Sequence, residues 1–588
     1  MNDYHIHLSD TAQSNLERWL DEPKYSEYAP EVREMIENEL WKELEDSFFK
    51  IIEFGTAGRR GKVGPGSNRI NRVTVGESTQ ALCQYIKTAD SDAPAKGIAI
   101  ACDTRLSSPE LSQYAARVCA ANGFKTYVFD SFRSTPELSF AVRQLGCAGG
   151  IVITASHNAS PDNGFKAYWS DGAQLVPPHD KGVLDMADAV TEIFAEPTFD
   201  DAIKDGKITL IDGSLDEAYY EAVLGQAVSA YRDIVVAYTP LHGAGITNTL
   251  PVLQRAGFTV ITERDQMIPD GRFPTVEGGK SNPEAKVAND RVVALMLAKK
   301  ADIAISNDPD ADRFGVMVRQ GDEPIYLSGN QSAVLGVDFL LRQLSAANKL
   351  DGTQFVAKTL VTTDFITEIA NQYGVKTVGN LQVGFKWIAE QVRLRPSEQY
   401  ILGAEESFGM CVGGYVRDKD GASASLLLAE AAAEQKSLGK TLYDRLLKLY
   451  EEYGLFVERL DTMRCEGAEG FAEMQAIMTS IRSEAPLEID GQKVTAVLDY
   501  ETGIRTDTIS GSTSPIDSTK GNVYVLEFGD SHRRMTIRPS GTEPILKFYN
   551  QWYEASTEAP KKDYVRIEQQ LENMSRELEG VLLSRVER

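Results

Sequence analysis

The sequence predicts an α/β protein: three similar α/β domains with mixed, largely parallel sheets, followed by a C-terminal α+β domain. The first observation is an order of elements (strand, polar loop, helix, glycine, strand) that occurs three times, at residues 98–130, 233–265 and 355–380. This order is typical of βαβ units and therefore of parallel strands. One large doubly wound sheet is the alternative. The second observation is a change of pattern in the last ~125 residues, where short strand-like runs alternate with two amphipathic helices.

In chain order, residues 1–50 are polar and have helical spacing, with LERWL and EVREMIENELWKELE as amphipathic turns. The helix LYDRLLKLYEEYG ends at a candidate boundary near Tyr453 and Gly454. The four expected domains, the first with its helical extension, are residues 1–225, 226–325, 326–455 and 456–588.

Composition narrows the class of protein. The 588 residues are 42% hydrophobic and carry a net charge of −25, which argues against nucleic acid as a partner. No segment approaches the ~20 apolar residues of a membrane span, and the N-terminus lacks the basic and apolar regions of a signal peptide. The six cysteines are scattered without a CxxC pair, which is typical of buried thiols in a reducing compartment. We therefore expect a soluble cytoplasmic protein with no nucleic-acid or membrane partner.

The stretch TASHNASPDNGFKAY, residues 154–168, places Ser156 beside His157 directly after the strand-like run GGIVI. Serine, asparagine and aspartate are common in turns, so a plain turn is one interpretation. A hydroxyl nucleophile at an exposed strand-to-loop corner is the other, and the remaining motifs favour it.

The stretch SNDPDADRFG, residues 306–315, follows the strand-like run ADIAI. Its three carboxylates belong to Asp308, Asp310 and Asp312. Alternating carboxylates supply the hard oxygen ligands that Mg²⁺ or Ca²⁺ prefers. A calcium-binding EF-hand loop is excluded because its glycine and glutamate positions hold Arg313 and Arg319. A solvated acidic turn is the alternative, but Arg313 beside the carboxylates favours a phosphate site.

Three further loops suit polar ligands. RPSGTEP, residues 538–544, offers a guanidinium, hydroxyls and backbone N–H groups to a phosphate. GAEESFGM, residues 403–410, has two carboxylates that suit hydroxyl groups, and residues 54–71 form a glycine-rich segment with three arginines and one lysine. GGKS at residues 278–281 is not a P-loop, because Pro274 occupies the position of its first glycine. Together these loops favour phosphoryl transfer to a polyhydroxyl compound.

The motifs TASHN…NGFK, DPDADR, GAEESFG and RPSGTEP, in that order, resemble the α-D-phosphohexomutase superfamily, whose members move phosphate between C1 and C6 of a hexose. The resemblance covers the chain from about Phe54 to Tyr549. The longer match GAEESFGMCVGGYVRDKDGASA is most similar to the phosphoglucomutase branch that includes phosphopentomutase-type enzymes. The resemblance implies four domains around a central cleft.

The resemblance also implies roles for individual residues. Ser156 would bear the phosphoryl group and, together with the three aspartates, hold Mg²⁺. The implied catalytic residues are Ser156, His157, Lys166, Arg60 and Lys419. The implied substrate-binding residues are Glu405, Ser407, Arg538, Ser540, Gly541 and Thr542. Arg313 joins them because its guanidinium directly follows the three carboxylates. Two departures from the family pattern are Ala159-Ser160 in place of a proline after TASHN, and Arg59 in place of a leucine.

The resemblance implies interconversion of glucose 1-phosphate and glucose 6-phosphate, through a phosphoserine enzyme and a glucose 1,6-bisphosphate that is both intermediate and activator. A phosphomannomutase or phosphopentomutase is the alternative within the superfamily. A metal-dependent sugar phosphatase and a non-catalytic sugar-phosphate sensor are the alternatives outside it. The expected partner is a small sugar phosphate, and the expected state is a monomer or weak homodimer.

Overall fold

The computed structural model describes residues 6–53, 58–187, 189–465, 470–541, 544–555, 557 and 559–586. The chain divides into two compact units. The first comprises Met1–Tyr326 and Gly409–Glu430, and the second comprises Leu327–Phe408 and Ala431–Arg588. Among the helices so described, none combines the length and apolar character needed to cross a membrane.

The strands are β1 Arg59–Lys62, β2 Ile98–Cys102, β3 Thr126–Phe129, β4 Gly149–Ile153, β5 Asp162–Trp169, β6 Ile208–Ile211, β7 Val235–Thr239, β8 Thr259–Thr262, β9 Ile303–Asn307, β10 Phe314–Gln320, β11 Glu323–Tyr326, β12 Gln354–Thr359, β13 Lys376–Leu381, β14 Gln399–Glu405, β15 Gly409–Val412, β16 Leu455–Arg464, β17 Glu488–Ile489, β18 Gln492–Lys493, β19 Ala496–Asp499, β20 Ile504–Asp507, β21 Thr513–Pro515, β22 Tyr524–Glu527, β23 Arg534–Pro539 and β24 Ile545–Glu554.

The helices are α1 Asp10–Asp21, α2 Ala29–Glu37, α3 Trp41–Phe48, α4 Arg72–Ala89, α5 Ala93–Lys96, α6 Ser108–Ala121, α7 Thr135–Gln144, α8 His179–Ala187, α9 Phe199–Lys204, α10 Gly213–Leu224, α11 Thr249–Arg255, α12 Lys286–Lys299, α13 Gly329–Ala346, α14 Phe365–Gln372, α15 Phe385–Leu394, α16 Gly421–Ser437, α17 Leu442–Tyr453, α18 Gly470–Ser483 and α19 Pro560–Val586.

The first unit contains two mixed sheets. One has the order β1-β5-β4-β2-β3-β6, in which β4, β2, β3 and β6 are parallel and β5 and β1 are antiparallel additions. The other has the order β11-β10-β9-β7-β8, with β9, β7 and β8 parallel. Gly123 and Gly257 adopt φ values of 83° and 93° before their strands, a conformation that costs glycine least. The helices α1–α3 close over a small core of their own around Leu16, Trp19 and Phe48.

The second unit contains a parallel arrangement β13-β12-β14 and an antiparallel sheet β16-β24-β23-β22-β19-β20-β21. The helix α19 packs on β16 and β24 of the antiparallel sheet. The predicted fold class is confirmed, and a single large doubly wound sheet is wrong because the parallel strands belong to separate sheets. In each βαβ unit the polar loops follow the carboxyl ends of the parallel strands, where open α/β sheets bind ligands.

Candidate active site

Ser156 lies in the serine loop, three residues after Ile153, the last residue of β4. Ser156 has a φ of +51°, a left-handed conformation that a non-glycine residue adopts at a cost of about 1–3 kcal/mol. Its Oγ donates a hydrogen bond to Asp308 Oδ2 at 2.7 Å and lies 3.3 Å from His157 Nδ1. The expectation that Ser156 is exposed is wrong: the residue is 1% exposed, because Asp308 and the His157 ring cover the hydroxyl.

A residue that sequence reasoning missed, Arg105, holds this loop. The buried guanidinium donates four hydrogen bonds of 2.6–2.8 Å to the carbonyl oxygens of Ser156, Asn158, Ala159 and Asp162. These bonds account for both terminal nitrogens of Arg105, and they fix the backbone on either side of the departure at Ala159-Ser160. The loop geometry is therefore set by a cation beneath it.

Asp103 in turn orients Arg105. Its Oδ2 lies 3.2 Å from Arg105 Nε and accepts the Thr154 hydroxyl at 2.6 Å, while its Oδ1 accepts the hydroxyl of Ser108. Thr154 Oγ1 also accepts the backbone N–H of Ser156 at 2.8 Å. Burial raises the pKa of Asp103, opposed by Arg105 and the two hydroxyl donors. In the sequence, Asp103 and Arg105 appear only as part of the short run CDTR at the end of β2. No rule of sequence spacing relates this run to Ser156, so sequence reasoning could not identify its role.

The three aspartates follow β9 and meet in one place. Ligand oxygens of Asp308, Asp310 and Asp312 lie within 4.8 Å of one another, and all three side chains are fully buried. Ala311, between the second and third, adopts a φ of +52°, which bends the loop so that alternating side chains converge. The sequence prediction of a convergent carboxylate cluster at this strand end agrees with this geometry.

Two lysines offset the charge of the cluster. Lys166 Nζ, on β5, lies 2.6 Å from Asp310 Oδ2 and 3.1 Å from Asp312 Oδ2. Lys419 Nζ lies 3.0 Å from Asp312 Oδ2. Burial and the like charge of Asp312 act to raise the pKa of Asp310, but Lys166 and the Thr135 hydroxyl together more than offset them and the net shift is downward. Burial also opposes ionisation of Asp312, yet Lys166 and Lys419 hold its pKa well below the usual range.

Asp308 differs from the other two carboxyls. Burial, followed by repulsion from Asp310 and Asp312, raises the pKa of Asp308 well above its usual value. Among the described residues, no lysine forms an ion pair with Asp308. Its Oδ2 accepts the Ser156 hydroxyl, and its Oδ1 accepts the Arg313 backbone N–H at 3.0 Å. Of the three carboxyl groups, Asp308 is therefore the one whose ionised form would be stabilised most by a further cation.

The donor set fits a hard divalent cation. Asp310 Oδ1 and Asp312 Oδ1 are buried without a hydrogen-bond partner among the described residues, so each keeps an oxygen for a ligand. Three carboxylates without a nearby thiolate favour Mg²⁺ or Ca²⁺ over softer metals. Burying three carboxylates together is costly unless cations pair with them, which the two lysines do only in part.

Further cations and an imidazole surround the cluster. Burial, followed by repulsion from Arg313, lowers the pKa of Arg60, and the buried Arg60 Nε has no hydrogen-bond partner in the part of the chain that the structure describes. Burial, then Arg313 and Arg60, lowers the pKa of His157 well below its usual value, so its ring is neutral at pH 7. Arg313 pairs with Glu284 at 2.9 Å. The guanidinium groups of Arg60 and Arg313 make this side of the carboxylate cluster positive, which suits an anionic ligand.

Arg59 and Arg60 are neighbours on β1 but face opposite sides of it. Arg59 is fully buried, and its NH1 donates to the Thr74 carbonyl at 3.0 Å and lies 3.7 Å from Glu77 Oε2. The positive charge that departs from the family pattern is therefore part of the packing of β1 on α4. The glycine-rich segment around it is described only in part, because residues 54–57 lie outside the described residues.

The predicted sugar and phosphate loops lie in the second unit. Glu405 is the last residue of β14 and is buried, and Ser407 follows it two residues later, half-buried. Arg538 lies on β23, and Ser540 and Gly541 follow that strand. The Ser540 N–H donates to the Ile545 carbonyl at 2.8 Å, which closes the turn between β23 and β24. Thr542 lies outside the described residues.

Around Arg534 on β23, the second unit holds a half-buried ion cluster that sequence reasoning also missed. The Asp364 carboxylate lies 2.8 Å from Lys358 Nζ, 2.8 Å from Arg534 NH1 and 3.2 Å from His532 Nδ1. The cluster borders a cavity of about 490 Å³. Arg534 and Arg538 share one face of β23, so Asp364 fixes the strand that carries the phosphate loop.

The comparisons with known proteins agree with this arrangement. Models of the phosphoglucomutase/phosphomannomutase family match domain I at residues 52–193, domain II at 217–321 and domain III at 328–453. The chain is 33% identical over 523 residues to a phosphoglucomutase of Staphylococcus epidermidis, covering 88% of this chain and 94% of the relative. It is 35% identical over 517 residues to a phosphoglucomutase of Staphylococcus aureus strain N315, covering 86% and 90%.

Solved structures share the fold at lower identity. A phosphoglucomutase/phosphomannomutase family protein of Burkholderia thailandensis superposes with a TM-score of 0.63 at 18% identity, over 90% of this chain and 97% of that one. Parafusin, a phosphoglucomutase of Paramecium, gives 0.62 at 18% identity, over 90% and 96%. With three matching domain models and relatives above 30% identity along most of its length, the chain belongs to the phosphoglucomutase/phosphomannomutase family.

Proposed function

We propose that this protein interconverts glucose 1-phosphate and glucose 6-phosphate through a phosphoserine at Ser156 and a glucose 1,6-bisphosphate intermediate. The observation that carries the proposal is the Ser156 hydroxyl, 2.7 Å from Asp308 in a buried carboxylate cluster. Four cationic side chains surround this cluster: Lys166, Lys419, Arg313 and Arg60. The curated relatives named phosphoglucomutase support the choice of reaction.

The first unit supplies the phosphoryl-transfer groups. Asp308, Asp310 and Asp312, with an oxygen of the phosphorylated Ser156, would hold Mg²⁺. When bound, this ion would offset negative charge on the phosphoryl oxygens and polarise the phosphorus–oxygen bond. Arg60 and Arg313 would offset the same charge from the protein side.

Proton transfer has three candidates. Burial and Arg313 lower the pKa of His157, which leaves its ring neutral, and a neutral imidazole has a ring nitrogen that can accept a proton from a sugar hydroxyl. Lys166 and Lys419 both contact Asp312 and can donate or position a proton near the leaving oxygen. In the first transfer the bond from phosphorus to Ser156 Oγ breaks as the bond to the sugar oxygen forms; the sugar hydroxyl gives its proton to the base, and Ser156 Oγ takes a proton from the acid. In the second transfer the other phosphoryl group of the bisphosphate moves to Ser156 Oγ, the Oγ proton returns to the protein, and the freed sugar oxygen takes up a proton.

The second unit supplies the groups for the sugar and the phosphate that does not react. The Glu405 carboxylate would accept hydrogen bonds from sugar hydroxyls, with Ser407 beside it. Arg538, Ser540, Gly541 and Thr542 would bind the second phosphate. A bisphosphate has two phosphates to bind in each orientation, so a mutase needs two cationic sites. A simple phosphatase needs one.

The compartment and assembly are part of the same proposal. All six cysteines are buried and free, which suits the reducing cytoplasm where sugar phosphates are metabolised. We place the protein there as a monomer or weak homodimer acting on a small-molecule sugar phosphate.

A coupled assay tests the reaction. Glucose 6-phosphate formed from glucose 1-phosphate is oxidised by an excess of its dehydrogenase, with Mg²⁺ present and with or without catalytic glucose 1,6-bisphosphate. We expect turnover that the bisphosphate stimulates. Release of inorganic phosphate instead of product would identify a phosphatase, and binding without turnover would identify a sensor.

The same assay decides the sugar. The values of kcat/KM are compared for the α-1-phosphates of glucose, mannose, N-acetylglucosamine and ribose. We expect glucose 1-phosphate to give the highest value. A tenfold advantage for mannose or ribose 1-phosphate would leave the mutase assignment intact and overturn the choice of glucose.

A further inference from the structure

Two buried aspartates flank Lys419 and have no role in the mechanism above. Asp418 and Asp420 are 1% and 0% exposed in the loop that follows β15. Burying two carboxylates beside a lysine is costly unless each has specific partners. Each of the two aspartates accepts a hydrogen bond from at least one tyrosine hydroxyl.

Asp418 is held from two sides. Its Oδ2 accepts the Tyr168 hydroxyl at 2.7 Å and the Gln174 side-chain amide at 2.8 Å. Its Oδ1 accepts the Lys419 backbone N–H at 2.8 Å and lies 3.5 Å from Lys419 Nζ. One carboxylate therefore ties the backbone and the ammonium of Lys419 to β5. Burial, followed by the charge of Asp418, raises the pKa of Tyr168 well above its usual value, which keeps the phenol a donor.

Asp420 anchors the other side of Lys419. Its Oδ2 accepts the hydroxyls of Tyr219 at 2.8 Å and of Tyr415, and its Oδ1 accepts the Ala422 N–H at 2.8 Å. These contacts begin the helix α16 and leave Lys419 between two fixed points. A long, flexible side chain is otherwise costly to hold in one rotamer.

The strand β5 connects this anchor to the carboxylate cluster. Residues two apart on a strand share a face, so Tyr168 and Lys166 point to the same side of β5. Lys166 contacts Asp310 and Asp312 directly, while Tyr168 acts through Asp418 on Lys419, which contacts Asp312. The two lysines that border Asp312 are thus set by one strand.

We infer that Tyr168 and Asp418 are positioning residues that fix Lys419 against the carboxylate cluster for phosphoryl transfer. The inference rests on the proposed mutase function. Tyr168→Phe removes one hydroxyl without leaving a large cavity, and Asp418 keeps Gln174 and the Lys419 N–H as donors. In this variant the Asp418 carboxylate loses its hydrogen bond from the residue-168 side chain and is free to rotate. The Lys419 ammonium, which lies beside that carboxylate, then moves away from Asp312.

The kinetic test uses the coupled assay. For Tyr168→Phe we expect kcat to fall about tenfold with KM nearly unchanged, since a tenfold change corresponds to about 1.4 kcal/mol. Tyr220→Phe is the matched control, because the Tyr220 hydroxyl bonds to a backbone carbonyl, that of Thr247, and serves no site group. Its kcat should equal that of the wild type. Equal kcat values for the Tyr168→Phe and Tyr220→Phe variants would overturn the inference.

A double-mutant cycle separates positioning from a general structural effect. In a Lys419→Ala background, Tyr168→Phe should cause no further loss of kcat, because the side chain that it positions is gone. An additional tenfold loss in that background would contradict the inference.

Crystal structures of the wild type and Tyr168→Phe give a readout that does not depend on activity. The expected difference is loss of the 3.0 Å contact between Lys419 Nζ and Asp312 Oδ2. If the wild type proves inactive on every sugar phosphate, the proposed function fails, and these structures still decide the inference. An unchanged contact in the variant would refute it.

Discussion

Replacing Arg105 with lysine would keep the buried positive charge but remove the guanidinium fork that holds the serine loop. Arg105→Lys leaves Asp103 with a cationic partner, so the variant should fold. The ammonium is compact and reaches fewer of the four carbonyl oxygens that Arg105 now binds. The loop would then be free to relax the left-handed conformation of Ser156, whose φ is +51°.

The magnitude follows from the four bonds of 2.6–2.8 Å. A hydrogen bond to a charged group contributes about 1.5–3 kcal/mol, and lysine can replace about two of the four. Three of the acceptors, the carbonyls of Asn158, Ala159 and Asp162, lie in half-buried residues and can regain water, which lowers the cost. A net loss of about 3 kcal/mol in loop positioning corresponds to about a 100-fold fall in kcat.

The coupled assay and urea unfolding measure the two consequences. We expect kcat of Arg105→Lys to fall about 100-fold and the midpoint of unfolding to fall modestly. Arg117→Lys is the matched control, since Arg117 also donates to two loop carbonyls in the same unit, at 2.9 and 3.3 Å, away from Ser156. A wild-type kcat for Arg105→Lys, or an equal loss in the control, would refute the reasoning.

Four other predictions follow from the same structure. Ser156→Ala should abolish turnover in the coupled assay while urea unfolding stays as in the wild type; normal turnover in protein free of host enzyme would contradict this. Removal of divalent cations with a chelator should stop turnover and added Mg²⁺ should restore it, so full activity in metal-free protein would exclude a metal role. Glu405→Gln should lower kcat/KM for every hexose phosphate, whereas Arg538→Ala should mainly raise KM; the reverse pattern would exchange their roles. Hydrogen bonding to Asp364 raises the pKa of His532, so this pair stabilises the protein below the unfolded pKa and loses its effect as the pH rises through the folded one. Urea unfolding should accordingly show His532→Gln less stable than the wild type at about pH 5.5 and nearly equal at about pH 8.5, and a difference independent of pH would contradict it.

The sequence is sufficient to predict the βαβ units and the aspartate cluster, because both depend on residues close together in the chain. The βαβ order follows from β-branched runs and glycines such as Gly123 and Gly257, and the structure confirms it. The convergence of Asp308, Asp310 and Asp312 follows from alternation past a strand end. Residues adjacent in the chain determine both features, so a single sequence contains enough information to predict them.

Contacts between distant segments account for what sequence reasoning missed. The sequence predicts an exposed Ser156, but the carboxylate that covers its hydroxyl lies 152 residues away in the chain. Arg105 and Asp418 carry no motif of their own, because a guanidinium under a loop or a carboxylate behind a lysine has no fixed spacing from its partner. Their roles appear only when β2, β5 and the loop after β15 are brought together by the fold.

The phosphoryl occupancy of Ser156 during turnover tests the central claim most directly. Wild-type protein is incubated with glucose 1,6-bisphosphate, then with glucose 1-phosphate, and its intact mass and phosphopeptides are measured at each stage. The account predicts that the mass rises by one phosphoryl group located at Ser156, and that glucose 1-phosphate removes this group while glucose 1,6-bisphosphate forms. Turnover without a phosphoryl group on Ser156, or loss of that group as inorganic phosphate instead of to sugar, would contradict it.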